Sequence, residues 1–277
     1  ARLVGLVLQA DLAAEVMRQQ PRELQDFLQK TCILDRFSAD LCDAVTERTD
    51  SRQMLAQVER ANLFLRRLDD QGRWFRYHQL LADFLREGLA DPERIELHRR
   101  ASAWFESHGM GKDAIKHALA ARSDADAVRL FRGLVEDMLA RGELPTLLAW
   151  LEMLPASLVR QHQDLAGYQA WLLFMSGRTA EAEEYYALTG TPNVAESSQE
   201  HKGILFALQA FFAITSDNPA RAIELSRQAL DQLGNSTSFF RVWALFYQGL
   251  GLLRTGLPKP AAEMLRQALE LGWAFGH

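Results

Sequence analysis

A mainly α-helical protein with one small β-hairpin is what this sequence predicts, on three observations. Apolar residues recur at spacings of three and four along most of the chain, as half-buried helices require. Only between residues 63 and 77 does the pattern change, to aliphatic and aromatic runs around a turn. From residue 109 onward, turn residues return at nearly constant intervals. The 277 residues are 48% hydrophobic with a net charge of −5, which is ample for one or two cored domains and excludes general disorder. The longest apolar runs, Trp171 to Met175 and Ile204 to Leu208, fall far short of the ~20 residues a membrane span needs. No basic-then-apolar signal segment opens the chain, so a cytoplasmic protein without membrane contact is expected. Cys32 and Cys42 stand among apolar helical neighbours with no paired spacing, and read as small core residues rather than a disulfide or metal site. The mildly acidic balance argues against a chain built chiefly to coat phosphate.

The elements follow in order. Leu3 to Met17 has helical spacing but no domain of its own, so residues 1–20 are expected to be the tail of an upstream module. Both ends read as cuts in a longer protein. Arg22 to Thr31 follows Pro21 and repeats apolar residues at Leu24, Phe27 and Leu28, one buried helix face. Ser38 and Ser51 open two further helices, the second carrying Met54, Leu55 and Val58. Leu63 to Leu68 and Arg73 to Tyr77 then read as strands around the turn residues Asp69-Asp70-Gln71-Gly72. A fourth helix, QLLADFLREGL, follows at once. Three helices, a hairpin and a helix make a winged-helix domain over residues 21–90. Its third helix offers only Arg52 and Arg60 against Glu59, with no run of cations or amides for a DNA groove. The wing carries Arg66, Arg67, Arg73 and Arg76, charge that solvated strand edges also use to avoid pairing. Contact with protein is the better reading of this module.

The stretch from Phe27 to Glu87, and within it ERANLFL, the LDD turn and the RYHQLLADFLR run, strongly resembles the winged-helix segment of the large MalT-like regulators of the LuxR family, signal-transduction ATPases with numerous domains. The resemblance covers about sixty consecutive residues. It implies a protein with an ATPase core, this winged helix, a helical-repeat sensor and a C-terminal DNA-binding helix-turn-helix, of which only the middle two fall in this chain. ATP or ADP then belongs to the upstream ATPase module acting in cis, and DNA is reached only through the C-terminal module. It also implies a role for His78. Related ATPases place a His at the end of the wing, in a Met-His-Asp motif, against a bound ADP phosphate. Here the equivalent is Tyr77-His78-Gln79, so acid and Met are both replaced. Imidazole suits a phosphate contact; a His satisfied by backbone under the hairpin is the other reading, and both stand.

Residues 91–277 are helical in pattern throughout, and Gly109, Gly142, Gly177, Asp217 and Gly256 mark turns 33, 35, 40 and 39 residues apart. Periods of that size mean helix-pair repeats. GRTAEAEEYYAL, DNPARAIELSRQAL and GLPKPAAEMLRQAL align, each with Ala five residues past the turn, at Ala182, Ala222 and Ala261. Ala114 matches them and Leu147 departs. Seven residues before the last three turns stand Ala170, Ala210 and Gly249, small enough for the close helix approach of tetratricopeptide-like packing. A winged-helix domain followed by a tetratricopeptide-like solenoid of about four to five repeats, truncated at the C-terminus, is therefore expected.

Such a stack presents a concave face for a small ligand, a peptide or a protein. The candidate ligand-binding residues are Gln169, Trp171, Phe174, Gln209, Phe211, Arg241, Trp243, Tyr247 and Gln248, polar-edged rings beside amides and a guanidinium that suit a polar inducer such as a sugar or an aromatic acid. Aromatics at helical spacing are also what a core needs. The polar stretch Thr189 to Glu200 reads as a lid or a slack connector. No catalytic motif is legible: GxSxG, HExxH and GxxxxGK[ST] are all missing, and Gly111-Lys112 lacks the flanking residues that would cradle a triphosphate. The seven His show no metal-ligand spacing, and Glu181, Glu183 and Glu184 read as a solvated face. No enzyme, no cofactor and no metal is expected in this segment. Its partners are a small-molecule inducer or a regulatory protein, with self-association of the activated full-length protein.

Overall fold

The computed structural model describes residues 15, 17–61, 63, 65–190, 198–235 and 238–274. Most of the expected upstream tail, and residues 191–197 of the polar stretch, lie outside the described residues. Two compact units divide between Leu130 and Phe131.

The first unit opens with α1 (Arg22–Thr31), α2 (Ala39–Thr46) and α3 (Ser51–Arg60). The Ser38 hydroxyl accepts from Leu41 N at 3.2 Å and caps α2 as its position predicts. The wing is shorter than the sequence runs suggest. Strands β1 (Leu65–Arg67) and β2 (Phe75–Tyr77) pair antiparallel with Arg66 opposite Arg76, because Asp69 draws the chain out of the ladder. Its carboxylate accepts from Arg73 N at 2.8 Å and Trp74 N at 3.2 Å, and Gly72 supplies a φ of 61°. On the other edge Phe37 exchanges two backbone hydrogen bonds with Phe75, at 2.9 and 2.8 Å. Phe27, Phe37, Leu41 and Tyr77 fill the core, where the Tyr77 hydroxyl meets Thr31 Oγ1 at 2.7 Å. Cys32 and Cys42 are buried free thiols; burial pushes Cys32 up to about 12.

After α4 (Gln79–Glu87) come α5 (Asp91–Ser107) and α6 (Gly111–Ala120). The sequence pattern changes at residue 90, but compactness does not. Helix α5 lies against α2, with Arg100 donating to Val45 O at 3.2 Å, and Ser102 ties it to Ala114 O of α6 at 2.9 Å. This first hairpin packs with the winged helix, so the compact units part further along the chain, within α7 (Asp124–Ala140).

The second unit contains α8 (Leu144–Leu151), α9 (Ala156–Gln161), α10 (Gln163–Met175), α11 (Thr179–Tyr186), α12 (Gln199–Thr215), α13 (Pro219–Leu233), α14 (Phe239–Arg254) and α15 (Pro258–Ala274). Three hairpins, α10–α11, α12–α13 and α14–α15, stack so that α12 touches both α10 and α14. All five turn residues read from the sequence adopt positive φ, from 58° at Asp217 to 83° at Gly177. Behind each, an amide reaches back five residues: Met110 to Phe105, Glu143 to Met138, Arg178 to Leu173, Asn218 to Ala213 and Leu257 to Leu252, at 2.8–2.9 Å. This recurring Schellman closure reverses the chain identically at each turn. The residue five past each turn, Leu147 included, is completely buried. Close approach is evident at Gly249, where a Cβ would stand 2.7 Å from Leu265 Cγ.

Candidate ligand site in the helix-pair repeats

The second unit brings the expected aromatic residues together. Trp171 on α10 meets Phe239 at 6.5 Å between ring centroids, Phe239 meets Trp243 at 5.8 Å, and Trp243 meets Tyr247 at 5.3 Å. Tyr247 continues to Phe211 at 5.8 Å and Phe211 to Phe174 at 5.1 Å. Their i, i+4 and cross-helix spacing makes one chain of rings through α10, α12 and α14. Most of it is closed. The void among Trp171, Phe211, Trp243 and Tyr247 is about 10 Å³, at the lower limit for one water. The hydroxyl of Tyr247 is driven well above its ordinary pKa by burial.

The polar candidates sit elsewhere. Gln209 is buried and donates to Gly190 O at 2.6 Å and Thr189 Oγ1 at 3.2 Å, securing the end of α11 rather than a concave surface. Gln169 is buried, and Gln248 and Arg241 are half-buried on α14. The Oε1 atoms of Gln169 and Gln248 have no hydrogen-bond partner. On the same unit Arg132 makes a fork to the buried carboxylate of Asp164 at 2.7 and 2.8 Å. Half-buried Glu136 is pushed upward by desolvation, then by Glu200 and Asp137, against a hydrogen bond from Ser238.

One opening in this unit has room for a ligand. A cavity of about 370 Å³ is bounded by Leu139, Trp171, Met175, Phe239, Val242 and Trp243, within the range small-molecule sites occupy. It includes two of the nine residues singled out from the sequence. Met175 and Phe239 were legible in principle, since each lies four residues from one of the tryptophans and therefore on the same helix face. Val242 is the immediate neighbour of Trp243, and Leu139 carries no local signal. Among the described residues, no group of three or more His, Cys, Asp and Glu is placed to hold a metal.

In the first unit His78 is exposed and caps α4, its Nδ1 accepting from Leu80 N at 3.4 Å. With Nδ1 as acceptor the neutral ring carries its proton on Nε2. The basic wing is substantially occupied. Arg67 forks onto Glu59 at 2.6 and 3.1 Å, Arg76 donates to Asp35 O at 3.0 Å, and Arg73 stands 3.7 Å from Asp69. Few of its cations are left for a phosphate backbone.

A winged helix followed by tetratricopeptide-like hairpins with a ligand-sized opening defines the class, and comparison with known proteins agrees. Residues 13–97 match the family model of the MalT winged helix domain. Over 267 residues the chain is 31% identical to the HTH-type transcriptional regulator MalT of Vibrio parahaemolyticus, covering 89% of this chain and 29% of that protein. Over 234 residues it is 32% identical to the serine/threonine-protein kinase PknK of Mycobacterium tuberculosis, covering 82% of this chain and 21% of the kinase. The fold is that of a signal transduction ATPase with numerous domains, bearing a tetratricopeptide repeat sensor, from Pyrococcus horikoshii: TM-score 0.57, 16% identity, over 96% of this chain and 47% of that one. The chain thus spans between about a fifth and three tenths of these sequence relatives. By similarity the chain is a MalT-like winged-helix and tetratricopeptide-like segment. Among the described residues no helix is long and apolar enough to cross a membrane.

Proposed function

We propose that this chain is the regulatory, non-catalytic middle of a cytoplasmic MalT-like protein, in which the repeats of residues 91–277 sense an inducer and the winged helix of residues 21–90 passes that event to an ATPase module. The observation that carries this reading is the pair of relatives. One continuous stretch of this chain is similar to parts of two proteins whose names give different outputs, a kinase and a transcriptional regulator. A segment common to both supplies control rather than output. On this reading ATP or ADP sits in the upstream module in cis, and His78, with its Nε2 proton, contacts a nucleotide phosphate there. DNA is bound through a separate helix-turn-helix, and activation brings self-association of the full-length protein. The inducer must bind the active arrangement better than the resting one, since equal affinity shifts no equilibrium.

Titration calorimetry of the purified chain against a panel of small metabolites tests this. Saturable heat with one compound, and none with peptides, is expected. A protein-binding scaffold is favoured by one observation, the exposure of Leu253, Leu257, Leu269 and Trp273 on α14, the α14–α15 turn and α15. Saturable heat with peptides alone would establish that reading instead.

A further inference from the structure

We propose that the cavity between Trp171 and Trp243 takes a predominantly apolar small molecule with an aromatic or branched hydrocarbon body, rather than a sugar or a phosphate ester. The inference rests on the sensor reading and names the chemical class of its ligand.

Size comes first. A volume of about 370 Å³ bounded by residues of α7, α8, α10, α14 and α15 limits the occupant to a compact molecule; a docking helix, roughly 10 Å across with its side chains, needs a continuous groove. Chemistry comes second. Among the described residues no charged side chain lines the cavity, and of its seven bounding side chains, Leu144 included, the two tryptophans alone carry a polar hydrogen donor, the indole N–H. A polyol entering it would exchange several water hydrogen bonds for almost none, and each group left unpaired weakens binding. A phosphate would lose more. An apolar body instead gains in proportion to the surface it removes from water. The third point is local contrast. The same two indoles close against Phe211 and Tyr247 to within about 10 Å³, so these helices pack to ordinary core density where their side chains meet. The open volume beside them is specific to one set of residues. The expectation of a polar inducer placed its amides around these rings, yet Gln169, Gln209 and Gln248 do not line the cavity.

The test uses N-phenyl-1-naphthylamine, a neutral apolar fluorophore that accepts energy from tryptophan, titrated into the full chain. Saturable one-to-one binding is expected, with quenched tryptophan emission. Met175→Trp fills the rim at a half-exposed position and Trp243→Ala removes one wall; each should weaken binding at least tenfold. Met175→Trp leaves the core intact, and far-UV circular dichroism verifies the fold of both variants. Glucose and glucose 6-phosphate at millimolar concentration should not displace the probe. Equal affinity in the folded variants, no binding at all, displacement by either sugar, or loss of binding only as the chain dimerises would overturn the proposal. The last outcome would mean that a second copy covers the opening. If the probe fails while calorimetry finds a polar inducer, this inference falls and the sensor reading stands; if neither ligand class binds, both fall.

Discussion

His98 and His117 meet through their Nδ1 atoms at 2.8 Å in the first unit, one ring donating and the other accepting. The accepting ring is therefore neutral, and the two cannot both be charged. Burial comes first and the cations Arg94, Arg86 and Lys116 second in holding His98 down to about 4. Burial, His98 and Lys116 hold His117 down to about 3, and Asp35 opposes in both cases. In the unfolded chain the same rings titrate near 6.5, so below that pH the unfolded state binds more protons than the folded one. Their contribution is complete above about pH 6.5 and is lost as pH falls from there toward 4 and 3. Urea midpoints measured from pH 7 to pH 4.5 should fall, and the fall should be shallower in the His98→Gln, His117→Leu double variant. In the second unit Arg132→Met leaves the buried Asp164 carboxylate without its fork. Breaking such a pair costs about 3 kcal/mol, readable as a lower denaturation midpoint, whereas removing exposed partners such as Arg266 and Glu263 should leave the midpoint almost unchanged.

At the scale of elements, the hairpins depend on closeness between helices and on left-handed turns. A Cβ at Gly251 of α14 would stand 2.8 Å from Ile223 Cγ1 and 3.0 Å from the backbone oxygen of Pro219. The backbone cannot step aside as a side-chain tip can. Gly251→Ala gains about 1 kcal/mol of helix propensity and loses about 1–3 kcal/mol to overpacking, so net destabilisation is expected in chemical denaturation. Asp217 gives the opposite sign. It holds a φ of 58° where the neighbouring turns use Gly177 and Gly256, and its ion pair with Arg254 is exposed. Relief of the left-handed strain, about 1 kcal/mol, outweighs a surface pair worth less than that. Asp217→Gly should raise the melting temperature slightly.

For the whole molecule, ligand binding and stability are linked. An occupant of the Trp171–Trp243 cavity that prefers the folded state adds about 2.7 kcal/mol at a hundred times its dissociation constant. For a unit of this size that is a rise of several degrees in melting temperature. The rise should disappear in Met175→Trp, and differential scanning calorimetry with the naphthylamine probe checks it. A ligand that raises stability without altering nucleotide turnover in the full-length protein would bind both arrangements equally and would not be an inducer.

Much of this was legible in the residues. The period shift at Leu63, the turn composition at Asp69 to Gly72 and the repeat of Gly109, Gly142, Gly177, Asp217 and Gly256 report local constraints. Helix periodicity and positive φ are decided within a few residues, so they leave a mark in sequence. The site was only half legible. Trp171 and Trp243 were found because bulky aromatics at helical spacing stand out, but the same signal selected Phe211 and Tyr247, which close the core instead of opening it. The amides at 169, 209 and 248 align in sequence, yet Gln209 is consumed by Gly190, a partner outside its own helix.

The sequence by itself determined the order of elements, the places where the chain reverses and the small residues that admit close helices, because each depends on neighbours along the chain. Only the tertiary structure decided that compactness breaks at Leu130 and not at residue 90, that Arg67 and Arg76 of the wing pair with Glu59 and with the backbone oxygen of Asp35, and that rings from α10 and α14 close on one side and leave room on another. Those outcomes depend on volumes and partners brought together from helices far apart in sequence, and no local pattern encodes how much space remains once they meet.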